Sequence, residues 1–159
     1  MACNLIYRYD GSFGGLLCCV FESYARREIP ADILSPSACQ TTLLPEREVE
    51  TDPEKAARVL RSIPEKLGAR APGFVKQAYL TCLGQKEKRI LLFLRLGYRK
   101  GPAVMNMLAD PAVNALWRAV NFLGRETHQF EGFLRFSDFG SALAAEIEPK
   151  NFVLPLLAP

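Results

Sequence analysis

Leu5-Ile6-Tyr7-Arg8-Tyr9-Asp10-Gly11-Ser12-Phe13-Gly14-Gly15-Leu16-Leu17 changes its hydrophobic period halfway along. Over residues 4–9 the side chains alternate, with Leu5, Tyr7 and Tyr9 to one side and Ile6 and Arg8 to the other, the pattern of a half-buried strand. Asp10-Gly11 marks a turn and Ser12 is a helix cap. Beyond it the apolar side chains Phe13, Leu16, Leu17, Val20, Phe21 and Tyr24 recur at the spacing of a core-facing helix stripe. Arg26 and Arg27 suit the helix's negative C-terminal end, and Pro30 closes it. The glycines at this strand-to-helix turn lack the Lys-Ser/Thr of a phosphate-binding loop and the spacing of a dinucleotide fingerprint.

Downstream, residues 30–45 read as an irregular connection with room for a short helical turn, and residues 47–50 as a short strand. Thr51-Asp52-Pro53-Glu54 predicts a helix start, a Thr-x-x-Glu capping box with proline in the first turn. That helix buries Ala56, Val59, Leu60 and Ile63, shows Lys55, Arg58 and Ser62 on its other face, and should kink or restart at Pro64. Helices follow at about 72–83 and 85–99, stopped by Gly101-Pro102. Another starts at Asp110-Pro111, buries Val113, Leu116, Trp117 and Val120, and extends towards Glu131. Residues 132–136 and 142–148 predict a hairpin around Ser137-Asp138-Phe139-Gly140-Ser141. The expected class is α+β, with all 159 residues in one domain: a small antiparallel sheet, made of the N-terminal strand and the C-terminal hairpin, covered by an inserted helical block.

The chain is 49% hydrophobic and 23% charged, enough apolar matter for one core and too much for global disorder. Its apolar runs fall far short of the roughly 20 residues of a membrane span, so no membrane association is expected. Five cysteines, an odd number with no export signal and no CxxC pair, predict reduced, mostly buried thiols and a cytoplasmic location. With a single histidine, the sequence offers no zinc or iron–sulfur ligand spacing, and neither a metal nor another cofactor is expected.

Net charge is only +3, but it is unevenly spread. Between residues 55 and 100, twelve basic side chains face only Glu65 and Glu87. The block is Lys55, Arg58, Arg61, Lys66, Arg70, Lys76, Lys86, Lys88, Arg89, Arg95, Arg99 and Lys100. On adjoining helices these cations would meet a polyanion and release its counterions, and Tyr79 and Tyr98 stand among them as candidate base-stacking rings. The plain alternative is a solvated basic face.

Three stretches, residues 5–17, 89–101 and 125–159, resemble the bacterial family called "probable DNA metabolism protein". The resemblance implies an accessory role in DNA metabolism beside a radical-SAM enzyme of DNA modification or repair, and a related domain occurs fused to uracil-DNA-glycosylase-like proteins. The family's Glu-x-His pattern falls on Glu126 and His128, its Gly-Phe-x-Arg-Phe on Gly132, Phe133, Arg135 and Phe136, and its Asn-x-Val-Leu-Pro-Leu-Leu run on residues 151–157. The chain departs from it at Gln129, where the family carries a basic residue. The family's proteins also run on past Leu157-Ala158, which implies that part of their surface lies outside these 159 residues.

Glu126 and His128 are the candidates for acid–base chemistry, but two residues apart on a helix they point about 200° from each other. The plain reading of His128 is a helix-end residue bonded within the structure. Arg135 is either a cross-strand partner of Glu146 or Glu148 or a fork for phosphate. The expected function is an accessory protein that binds DNA or a DNA-acting partner through Lys55, Arg58, Arg61, Lys66, Arg70, Lys86, Lys88, Arg89, Arg99, Lys100 and Arg135. The alternatives are a nuclease- or glycosylase-type enzyme using Glu126, His128 and Asp10, and an interaction subunit of the radical-SAM enzyme.

Overall fold

The computed structural model describes residues 4–38 and 42–157, so Cys3 and Cys39 lie outside the described residues. Strands β1 (Ile6–Arg8), β2 (Asp32–Leu34) and β3 (Glu46–Glu48) form a parallel sheet in the order β2-β1-β3. Tyr7 pairs with Ile33 on one side and Arg47 on the other. Helix α1 (Phe13–Ala25) is the crossover from β1 to β2, which a parallel neighbour requires because a tight turn reverses the chain.

The class is α+β, but the expected antiparallel sheet is corrected. The partners of β1 are β2 and β3, while the C-terminal hairpin stands apart as β4 (Ser137–Asp138) and β5 (Leu143–Ala144). Strand β2 lies in the stretch read as irregular. Three residues between Pro30 and Pro36 are too few to show a period, and pairing with β1 makes them a strand. The other edge, β3, is Glu-Arg-Glu, whose charges discourage pairing with another chain.

The turn after β1 is a polar junction. Ser12 Oγ accepts from the Gly15 amide at 2.9 Å, and Asp10 Oδ1 accepts from the Ser12 amide at 2.9 Å and hydroxyl at 2.7 Å. Thr51 Oγ1 donates to Asp10 Oδ2 at 2.7 Å. Burial pushes the Asp10 carboxyl up, but these bonds outweigh it and hold it below its ordinary value. Thr51 is thereby drawn away from capping the next helix, α2 (Pro53–Leu67). Asp52 caps it instead, accepting from the amides of Glu54 at 2.8 Å and Lys55 at 3.3 Å.

Helix α2 runs on through Pro64 without the restart that is one of the two expectations there. The proline forfeits one bond to the turn before it, while Ile63 and Leu67, both fully buried, hold the last turn against the core. Helices α3 (Ala71–Leu80) and α4 (Lys86–Lys100), a 3-10 segment (Gly101–Asn106) and α5 (Pro111–Phe133) complete the helical block. Gly132 and Phe133, expected in the hairpin, are the last residues of α5. On α5 the buried stripe is Val113, Leu116, Leu123 and Thr127; Trp117, expected inside, is 40% exposed because it sits at the edge of that stripe. Cys18 and Cys19 are buried in α1, where burial pushes the Cys19 thiol up, and Cys82 is exposed.

Two contacts govern the later helices. Leu67, 1% exposed, fills the space beside Gly97, where an added Cβ would lie 2.6 Å from Leu67 Cγ. At the other end of the chain Glu126 accepts from the amides of Lys150 at 2.8 Å and Asn151 at 2.9 Å, and from Asn151 Nδ2 at 2.7 Å. Asn151 Oδ1 in turn accepts from the Cys82 amide at 2.8 Å. This clamp ties the segment before α6 (Leu154–Leu157) to α5 and to the end of α3. Burial raises the Glu126 carboxyl, but the three donors outweigh it and leave it below its ordinary value.

Gly97→Ala should lower the melting temperature by about 2–6 °C, because overpacking against the buried Leu67 side chain exceeds alanine's gain in helix propensity. Gly124→Ala, with open space around it on α5, should raise it by about 2–4 °C in the same thermal scan. Because folding lowers the Glu126 pKa, the clamp's contribution is present above the ordinary glutamate value and lost as pH falls through the depressed one. Hydrogen-exchange protection over residues 150–157 should therefore fall on acidification in the native chain, and at neutral pH in Glu126→Ala, ahead of global unfolding.

Candidate nucleic-acid interface

Helices α1, α2 and α4 meet around the C-terminal half of α1, where Phe21 and Tyr24 lie one turn apart. Lys55 Nζ stands 5.5 Å and the Arg58 guanidinium 5.9 Å from the centre of the Phe21 ring. Arg95 lies 4.6 Å from the centre of the Tyr24 ring, and the Tyr98 ring meets Tyr24 edge-on at 5.6 Å. Ser62 Oγ donates to the Val59 carbonyl at 2.7 Å, so the Tyr98 hydroxyl, 2.7 Å from the same Oγ, is the donor between them.

Three hollows run together across this surface. One of about 680 Å³ is lined by Phe21, Lys55, Arg58 and Arg61, and shares Phe21 and Arg58 with a second of about 370 Å³ that contains Tyr24, Ser62 and Tyr98. The second shares Tyr24 with a third of about 270 Å³, bounded by Leu92, Arg95 and Arg99. These neighbouring hollows, called the trough below, have aromatic rings in their shared walls and cations on the α2 and α4 sides.

Its charge is partly balanced, since Asp52 and Glu54 line the first hollow together with Lys55, Arg58 and Arg61. Lys55 is tied to Glu22 at 2.9 Å, and Glu22 also takes Arg26 at 3.0 Å; the Lys55 bond above all holds the Glu22 carboxyl low. Among the described residues Arg58, Arg61 and Arg99 have no salt bridge, and Arg95 donates to the neutral Ser23 hydroxyl at 2.9 Å. The C-terminal ends of α2 and α4 meet where a Cβ on Gly101 would lie 3.8 Å from the Lys66 carbonyl, but Lys100, about 160° round α4 from Tyr98, is turned away from these hollows and Lys66 lines none of them. Arg70 is exposed just beyond α2.

The remaining basic residues are not gathered there. Lys86, Lys88 and Arg89 lie at the opposite end of α4, about 20 Å away along the helix. Lys86 Nζ donates to the carbonyls of Tyr79 at 2.7 Å and Thr81 at 3.2 Å, Lys88 to that of Pro30, and Arg89 to that of Gly84 at 3.1 Å. They close loops. Tyr79 donates to the Gly11 carbonyl and packs on Phe13, which removes it as a stacking ring.

Glu126 is occupied by the C-terminal clamp, whereas the His128 side chain is 88% exposed, 3.6 Å from Glu131. Arg135 shares a separate hollow with Phe133 and Glu146, away from the trough residues, and forms no salt bridge among the described residues. The site expected from sequence lacks Phe21, Tyr24 and Arg95. Periodicity places Phe21 and Tyr24 in the buried stripe of α1, yet Tyr24 is 41% exposed. The available signal is the width of that stripe: with Cys18 and Cys19 the helix is apolar nearly all round, more than one core face needs.

No curated protein and no solved structure matches the chain. Residues 84–159, from just before α4 to the C-terminus, are similar to a family described as a domain of unknown function, DUF4130, which takes in the Arg95, Tyr98 and Arg99 side of the trough and leaves out the α1 and α2 side.

Proposed function

We propose that this protein is an accessory nucleic-acid-binding protein that grips the phosphate backbone along the α1–α2–α4 trough. The observation that carries this reading is the set of guanidiniums of Arg58, Arg61 and Arg99, without a salt bridge among the described residues, along neighbouring hollows that share Phe21, Arg58 and Tyr24. Arginines crowded on one surface repel each other, and a polyanion relieves that repulsion while releasing its counterions. The planar guanidinium suits phosphate, and exposed rings suit nucleobases. An acidic protein surface, such as a radical-SAM partner implied by the resemblance, would use the same cations and rings, and is distinguished from nucleic acid by the binding assay below. The resemblance to DNA-metabolism proteins makes DNA the first ligand to test.

Fluorescence anisotropy with labelled DNA should show an affinity that falls with salt, with a log–log slope of about 2–4 for three to five neutralised phosphates. Arg58→Glu, Arg61→Glu and Arg99→Glu together should weaken binding by more than about tenfold, with Lys76→Glu on the exposed face of α3 as the neutral control. An affinity unchanged by the triple reversal would remove this surface from the function.

A further inference from the structure

We infer that the trough takes single-stranded nucleic acid, with an unstacked base seated against Tyr24 and Tyr98; this rests on the nucleic-acid reading above and specifies its ligand. The Tyr24 and Tyr98 rings line an open hollow of about 370 Å³ between three helices. That volume is of ligand-site size. A duplex keeps the faces of its bases within the stack and presents only phosphates and groove edges. A ring set into a hollow reaches the face of a base only when that base has left the stack.

The walls agree with this arrangement. Arg58 and Arg61 stand on the α2 side and Arg95 and Arg99 on the α4 side, so cations border the rings on both flanks. Arg58 and Arg95 already lie against Phe21 and Tyr24, and a guanidinium plane is itself a surface on which a base stacks. The bond from Tyr98 to Ser62 fixes one ring, while Tyr24, on the exposed end of α1, supplies the accessible one.

The test compares oligothymidylate, an abasic single strand and a duplex of equal length by anisotropy at one salt concentration. The native chain should bind oligothymidylate at least about tenfold more tightly than the other two. Tyr24→Leu, which removes the accessible ring, should bring oligothymidylate down to near the abasic level and leave duplex affinity unchanged, whereas Tyr24→Phe should keep the preference. Equal affinity for all three ligands would overturn the single-strand inference and leave the nucleic-acid reading standing. No binding to any of them would overturn both.

Discussion

Leu67 of α2 rests where residue 97 of α4 has no side chain, and the placement of the proposed binding surface follows from that close approach. With the two helices in contact there, Ser62 is brought to the Tyr98 hydroxyl, and Arg58, one turn earlier, to the Phe21 ring on α1. A larger residue at 97 would push α2 outward and open the trough from below. Packing at an apolar point thus sets the positions of polar groups several residues away.

Topology supplies the third wall. A parallel β1–β2 pair needs a crossover, and α1 is that crossover. Its first turns bury Leu16, Leu17 and Val20, and its last turns carry Phe21 and Tyr24 out to where α2 and α4 flank them. The Asp10–Ser12–Thr51 junction holds the start of α1 beside the loop that leads into α2, so both helices set out from one fixed polar point.

The charged residues divide by their partners. At the N-terminal end of α4, lysine and arginine donate to backbone carbonyls and hold loops; towards its C-terminal end Arg95 meets the Ser23 hydroxyl and the Tyr24 ring, and Arg99 is exposed. Glu126 belongs to the first kind, since all its described partners are donors from the segment it anchors. Side chains of one chemical type therefore hold loops in one place and stay exposed in another.

Local order was legible from the residues alone. The β1-turn-α1 unit, the starts of α2 and α5 at Asp52-Pro53 and Asp110-Pro111, and the excess of positive charge between residues 55 and 100 all rest on neighbours within a few positions. The partners of β1 were not legible, because β2 is a strand only through bonds to a segment more than twenty residues away. Nor was the division of the basic block, because whether a cation meets a carbonyl, a ring or open water depends on which helix ends the fold brings together. Periodicity records which face of an element is apolar; only the packed chain decides what that face, and the opposite one, will touch.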